Sequence, residues 1–295
     1  MVGVSGGPDS VCLLDVLYRL KKKYNLKLII AHVNYKLRKK DSDKDEKLVK
    51  NLAQKYNLPF KIARTTHYSL LTTNLEEKLR NFRYDFFEKV AKKHGADFIA
   101  VGHNLNDQAE TVLLRILRGA GLRGLGAIKF RNNNVIRPLL NIPRKEILTH
   151  LRKNKVPYRI DKTNLGSDFA RNKIRNKLLP YLEGKFNPNI QEVLYKLSQS
   201  VTDAYDFINR YTKEWLGTNK SLRISFLNKL HPAIQKEAIR LAIEKYNPNL
   251  REIEFGHIEE ILKIAKSRKG KRQILKFKNL KVERKGDKLV ISHNT

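Results

Sequence analysis

Near the start of the chain stands Gly3-Val-Ser-Gly-Gly-Pro-Asp-Ser-Val11, a stretch whose residue types suit a polyanion. Glycine lets the backbone come close to a phosphate, the amides that open a helix point at it, and the helix dipole favours negative charge. Gly6, Gly7 and Pro8 make the turn, Ser5 and Ser10 add hydroxyl donors, and Asp9 brings a carboxylate for a divalent cation bridging phosphate oxygens. No Gly-Lys-Ser/Thr follows, so this is not a Walker A loop. Further along, Asp107 and Glu110 lie three residues apart, on one face near the start of a helix expected to begin at Asn106 or Asp107. Two such carboxylates hold a metal or an amine, or else form a capping box. Arg171 and Arg175, one helical turn apart, suit phosphate through bidentate bonds, with an ion pair as the alternative for Arg175. His32 and Asn34 end an apolar run, as does His103, and each histidine is a ligand contact or a hydrogen-bonded packing residue.

The elements that must position these residues follow from periodicity. Met1 to Val4, Leu28 to Val33, Phe60 to Ala63 and Asp97 to Val101 read as buried strands. Between and after them, Val11 to Leu20, Asp45 to Tyr56, Leu75 to His94 and Asn106 to Leu117 read as helices. Such alternation predicts an α/β fold, a parallel sheet covered by helices on both faces, with ligands at the carboxyl ends of the strands. Ser5 to Gly7, His32 to Asn34 and Gly102 to Asn104 all follow strands and are expected to converge on one crevice. From Asn187 the spacing of Ile190, Val193, Leu194, Leu197 and Val201 marks a long connecting helix. Helices over Phe226–Tyr246 and Glu254–Lys266, a strand at Ile274–Phe277 and a hairpin through Lys285–Lys288 into Ile291 then predict a small α+β domain. The expected division is 1–185, a connector at 186–216, and 217–295. Gly119-Ala-Gly-Leu-Arg-Gly124 matches a dinucleotide pattern but follows a helix, so it reads as a glycine-rich helix exit.

Composition narrows the partners. Lysine and arginine number 61 against 29 acidic residues, a formal charge of +32, which points to a nucleic acid ahead of an acidic membrane. Twelve basic and two acidic residues between Lys263 and Lys288 make this a patch at the carboxyl end. No apolar run approaches a membrane span and no signal sequence opens the chain, so a cytoplasmic location is expected. The single cysteine, Cys12, excludes an internal disulfide and a cysteine zinc cage, and reads as a packing residue.

The order Ser-Gly-Gly-x-Asp-Ser resembles the loop of the ATP-pyrophosphatase (PP-loop) group, which is Rossmann-like and adenylates substrates with release of pyrophosphate. With His32-Val-Asn-Tyr-Lys-Leu-Arg38, Leu75-Glu-Glu-Lys-Leu-Arg-Asn-Phe-Arg-Tyr84, Gly102-His-Asn-Leu-Asn-Asp-Gln-Ala-Glu-Thr111, Arg118-Gly-Ala-Gly-Leu-Arg-Gly-Leu125, Arg137-Pro-Leu-Leu140, Asp161-Lys-Thr-Asn164 and Arg171-Asn-Lys-Ile-Arg175, the chain is similar to the tRNA(Ile)-lysidine synthetase family. The resemblance covers most of residues 3 to 180; the last third matches only in character.

The resemblance implies that ATP, with Mg2+, adenylates the wobble cytidine of a CAU anticodon in tRNA(Ile). Free L-lysine then displaces AMP, so that the tRNA reads AUA. Asp9, Arg83, Asp107 and Glu110 would be catalytic. Ser5, Gly6, Gly7, Pro8, Asp9, Ser10, His32, Asn34, His103 and Arg171 would bind ATP, Asp9 also the metal. Asp107 and Glu110 would hold lysine, and Arg118, Arg123, Arg175, Lys269, Lys271 and Arg272 would contact tRNA. A homodimer is compatible with this reading. Two features depart from the family: Tyr35 stands where a histidine is usual, and the chain begins within its first strand. A tRNA thiolase of the same group and a non-catalytic RNA-binding module are the rival readings.

Overall fold

The computed structural model describes residues 1–37, 40–65, 75–160, 170–218, 222–247, 253, 255–267 and 272–294. The sequence elements Asp161-Lys-Thr-Asn164, Arg38, Lys269 and Lys271 lie outside the described residues.

In chain order the first elements are β1 (Val2–Gly3), α1 (Pro8–Leu20), β2 (Ile30–Asn34), α2 (Lys40–Lys55), β3 (Phe60–Arg64), α3 (Leu75–Lys93), β4 (Ile99–Val101) and α4 (Leu105–Leu117). They are followed by α5 (Leu122–Leu125), β5 (Arg131–Asn132), β6 (Val135–Ile136), α6 (Arg144–Lys153) and α7 (Ala170–Lys173). A π-helical turn at Ile174–Leu178 leads into α8 (Leu179–Lys185) and the long α9 (Ile190–Thr218). Among the described residues, six strands form one sheet in the order β3-β2-β1-β4-β6-β5. All its pairings are parallel except that of β5 with β6 at the edge.

Alternation along the strands assigns helices to faces. In β2, Ile30 joins a core with Val11, Leu14, Leu52 and Ile147, which seats α1, α2 and α6 on one side. Its neighbours Ala31 and Val33 join Phe87, Val90 and Ile99, which seats α3 on the other. A sheet buried on both faces has this two-sided pattern.

The strand order reverses at β1. The chain moves from β1 outward to β2 and β3, then returns to lay β4 on the opposite side of β1, with Gly3 opposite Val101. The loops leaving β1 and β4 therefore diverge over a crevice at the carboxyl end of the sheet, the position at which ligands bind in such folds.

The chain divides into two compact units, Met1–Ala120 with Gly126–Ser198, and Gly121–Leu125 with Gln199–Thr295. The chain passes between them on either side of Gly121–Leu125 and, for the last time, within α9. The second unit holds β7 (Leu222–Arg223), α10 (Ile224–Leu227), α11 (Pro232–Glu244), α12 (Phe255–Lys266), β8 (Gln273–Phe277), β9 (Leu280–Lys285) and β10 (Lys288–His293). Its strands pair antiparallel in the order β7-β10-β9-β8 around Leu227, Ile239, Ile258, Ile261 and Val282.

Several expectations are corrected. The helix read over Phe226–Tyr246 is two, because Pro232 cannot continue a helix and the His231 ring caps the new start by accepting from Ala233 N at 3.2 Å. The hairpin expected through Lys285–Lys288 is present, and its first arm is β9, whose extent the mostly charged sequence LKVERK hides. Its Leu280 and Val282 nevertheless alternate into the core, and Lys278 and Asn279 make the turn before it with positive φ. Helix α4 begins at Leu105, not Asn106 or Asp107, since Asn104 caps it. At its other end Arg118 is the C-cap and Gly119 follows with φ +69°, so the glycine-rich segment is a helix exit. Among the described residues, no helix is long and apolar enough to cross a membrane.

Candidate active site

The loop after β1 is held open by its own hydroxyls. Ser10 Oγ accepts from Ser5 N at 3.0 Å and donates to the Gly7 carbonyl at 3.0 Å, and Gly7 N donates to Ser5 Oγ at 3.4 Å. Gly6 has φ +94°, a conformation that favours glycine, and its carbonyl accepts from Arg159 N at 3.0 Å. Arg159 in turn pairs with Asp45 of α2 at 2.6 Å. Helix α1 begins with Pro8 behind Gly7, and no side chain caps it. An uncapped first turn leaves amides for an anion.

Asp9, in that first turn, is gripped from two other elements. Asn104 Nδ2 donates to its Oδ1 at 2.8 Å and Arg144 to its Oδ2 at 3.1 Å. Burial raises the pKa of Asp9 above the ordinary carboxylate value; Asp107 adds to this, while Arg144 and Asn104 oppose it. Gly102 allows the closeness: a Cβ there would lie 2.8 Å from Asp9 C and Ser10 N, both backbone atoms.

Asn104 also forms a capping box with Asp107. Asp107 N donates to Asn104 Oδ1 at 3.0 Å, and Asn104 N donates to Asp107 Oδ2 at 3.1 Å. The second Asp107 oxygen faces the arginine pair, as does all of Glu110, so Asp107 caps α4 and pairs with the arginines at once. Arg171 Nε donates to Glu110 Oε2 at 2.9 Å, Arg175 Nε donates to Oε1 at 2.5 Å, and a further Arg175 N–H reaches Oε2 at 2.9 Å. Each arginine also reaches Asp107 Oδ1 at 3.3 Å. In the sequence these arginines suggest phosphate contacts; in the structure they rest on the carboxylates. Helix α4 packs against α7 and the π turn, and the apolar seam that aligns them consists of Ala109, Val112, Ile174 and Leu179.

The strand-end residues have other surroundings. His32 is buried, and its Nδ1 lies 2.8 Å from the Val4 carbonyl. A carbonyl only accepts, so the neutral ring carries its proton on Nδ1 and presents Nε2 as an acceptor with no protein partner among the described residues. Burial lowers its pKa. Asn34 is a strut to α2: its Nδ2 donates to Asp43 and Glu46 at 3.1 and 2.8 Å, and its Oδ1 accepts from Lys36 N at 2.9 Å. Burial pushes the His103 imidazole down to about 3, with help from Arg137, Arg83, Arg171 and Arg80. His103 is therefore neutral at physiological pH, with Arg83 close enough to act on it. Tyr35 donates from its hydroxyl to the Leu79 carbonyl at 3.2 Å, tying β2 to α3.

Arg118 is exposed at the end of α4, on the rim of an apolar groove lined by Leu114, Leu117, Ile174 and Tyr181. Arg123 and Arg272 belong to the second unit, in ion pairs with Glu244 and Glu283. Arg144 and Arg159 complete this set without having stood out in the sequence, whereas Asn104 and Gln108 lie in the Gly102–Thr111 segment singled out there. Asn104 had a signal, an Asn three residues ahead of an Asp; Arg144 had none, being 135 positions from Asp9. Gln108, fully buried, donates to Gly126 O and Ser198 Oγ and accepts from Ile128 N, fixing α4 to the chain beyond it.

Residues 1–182 match the PP-loop domain family. Over 288 residues the chain is 40% identical to the tRNA(Ile)-lysidine synthase of Clostridium tetani, covering 92% of this chain and 60% of that protein. It is 39% identical over 274 residues to the tRNA(Ile)-lysidine synthase of Caldanaerobacter subterraneus subsp. tengcongensis, covering 90% and 59%. The chain thus spans about three-fifths of the length of these curated relatives. Among solved structures, the U34-tRNA thiolase NcsA from Methanococcus maripaludis, with its 4Fe-4S cluster, is similar in fold. That match has a TM-score of 0.57 and 22% identity, and covers 68% of this chain and 70% of that one.

Proposed function

Because the chain belongs to the PP-loop family, we propose that it adenylates a tRNA base with ATP and passes that base to the amine of lysine, as a tRNA(Ile)-lysidine synthase. The carbonyl oxygen of the wobble cytosine attacks the α-phosphorus of ATP and pyrophosphate leaves. The side-chain amine of free lysine then attacks the activated carbon, a proton is lost from the nitrogen, and AMP departs with the oxygen.

The observation that carries this reading is the chain of contacts from loop to carboxylates. Asp9 in the phosphate loop, Asn104 and Asp107 are linked by hydrogen bonds, and Glu110 lies one turn along α4, so one crevice would hold both the triphosphate and the amine. The α1 amides, Ser5 and Ser10 would bind phosphate oxygens and stabilise charge on the departing pyrophosphate. Asp107 and Glu110 would hold the ammonium and accept a proton so that a neutral nucleophile forms. Arg83, beside His103, would face the α-phosphate or the base. His32 and neutral His103 would border the nucleotide as hydrogen-bonding groups rather than cations.

Magnesium fits a single carboxylate at such a loop, since this small hard cation takes one or two carboxylates and completes its shell with phosphate oxygens and water. Asp9 would hold it, and the ion would supply charge neutralisation at the phosphates. Among the described residues, no group of three ligating side chains offers a dedicated metal cage.

The basic second unit would grip the tRNA, and the anticodon loop would enter the crevice, where an unstacked cytosine is reachable. The thiolase reading is weaker. Sulfur transfer uses reactive cysteines or a cluster, whereas Cys12 is the one cysteine of these residues, and burial pushes its thiol up to about 11.

The test is release of AMP and pyrophosphate with unmodified CAU-anticodon tRNA(Ile), ATP and lysine, each omitted in turn, followed by nucleoside analysis. Turnover that needs both tRNA and lysine, with lysidine in the digest, is the expected result. Turnover indifferent to lysine would overturn the assignment in favour of another base modification, and absence of both turnover and magnesium-dependent ATP binding would favour the RNA-binding module.

A further inference from the structure

The carboxylates assigned to the lysine amine are already occupied. Both oxygens of Glu110, a residue only 2% exposed, and one of Asp107 accept from Arg171 and Arg175. An ammonium arriving alone has to displace a guanidinium from a desolvated pair, and charged hydrogen bonds of this kind are among the strong ones.

Each carboxylate of the crevice is met by an arginine before any ligand arrives. Asp9, Asp107 and Glu110 are contacted by Arg144, Arg171 and Arg175. An amine alone meets carboxylates already held by arginines, and a polyphosphate alone draws those arginines off a buried carboxylate and leaves it unpaired. With both present, the arginines can turn to phosphate while the amine takes their place on the carboxylates. The backbone between the arginines is anchored while their side chains reach solvent. Ile174, between the two arginines, is buried against Ala109 and Val112 of α4, while the arginine side chains remain 38% and 30% exposed. Arg175 also sits in a π turn, where Leu179 N bonds the Ile174 carbonyl five residues back, a feature that recurs at functional positions.

We propose that Arg171 and Arg175 serve as an internal stand-in for the substrate amine, closing the Asp107–Glu110 site until nucleotide phosphate draws them away, so that ATP and lysine bind cooperatively. This rests on the lysine-site assignment above. The arginines are positioning residues here, acting through the carboxylates. Reciprocity is required of any such coupling: whatever factor the nucleotide adds to lysine affinity, lysine adds to nucleotide affinity.

The experiment is calorimetric titration of L-lysine into the full chain, alone and saturated with magnesium and a non-hydrolysable ATP analogue, followed by the reverse order. The expected result is lysine affinity higher by about tenfold or more with the analogue bound, and the same factor in the reverse titration. The double substitution Arg171→Gln with Arg175→Gln should tighten lysine binding to the nucleotide-free protein and bring the coupling factor towards one. A gain of affinity is not something a damaged fold produces. Equal lysine affinity with and without analogue, or full coupling retained in the double variant, would overturn the proposal while leaving the lysine site standing. No lysine binding in either state would overturn the site assignment and the proposal together.

Discussion

Asn104 donates through Nδ2 to Asp9 Oδ1 across 2.8 Å while its Oδ1 caps α4 through Asp107 N at 3.0 Å. One fully buried amide thus fixes the distance between the phosphate loop and the carboxylate pair. Replacing Asn104 by Ala should remove about 1 kcal/mol of helix capping and the tether to Asp9 together. The expected outcome is a modest loss in unfolding free energy with a larger, at least tenfold, loss of lysine-dependent turnover. Turnover falling no further than stability would show that Asn104 is only a cap.

Gly102 lets β4 run directly behind the loop, since an added Cβ would meet the backbone of Asp9 and Ser10 at 2.8 Å. Gly102→Ala should fold, with overpacking that costs about 1–3 kcal/mol, and should weaken ATP binding by displacing the loop. Calorimetric ATP titration checks it; wild-type affinity in the variant would mean that the loop yields without consequence.

Asp15 lies on the face of α1 away from the loop and accepts at 2.7 Å each from Arg19, Tyr56 and His150, joining α1 to α6 and to the end of α2. Burial alone would raise its pKa, but these three bonds outweigh burial and hold it below the ordinary value. A depressed carboxylate contributes stability that is full above the unfolded value, about 3.9, and is lost as pH falls through the folded one. Asp15→Asn should therefore cost about 1–3 kcal/mol at pH 7, with the gap to wild type narrowing below about pH 4. Urea unfolding at both pH values measures it, and a gap that stays constant into acid would contradict the linkage.

Lys276, Lys278 and Lys288 are exposed on or beside the antiparallel sheet of the second unit. Changing all three to Glu should weaken tRNA binding and flatten its dependence on salt, the slope falling by about 0.7–0.9 for each phosphate that a lysine no longer neutralises, with ATP affinity unchanged. Filter binding across a salt series tests this; an unaltered slope would remove this face from the tRNA interface.

How much of this was legible beforehand depends on how far apart the interacting residues lie in the chain. The sequence by itself determined the phosphate loop, because the glycines, Asp9 and Ser10 act within one strand-to-helix turn. It also determined the order of strands and helices from Met1 to Leu117, because buried strands and amphipathic helices differ in period, and the basic character of the carboxyl end. It hid the extent of β9, whose charged residues mask a two-residue alternation, and missed the short strands β5 and β6 and the break at Pro232 that divides one apparent helix.

Tertiary structure alone decided which charges meet. Asp9 is bound by residues 95 and 135 positions away, and Glu110 by residues 61 and 65 away, separations over which no local pattern carries information. The arginine pair had the composition of a phosphate site. In the structure both arginines rest on the desolvated Glu110, because a buried charge must be neutralised by whatever the fold brings within reach.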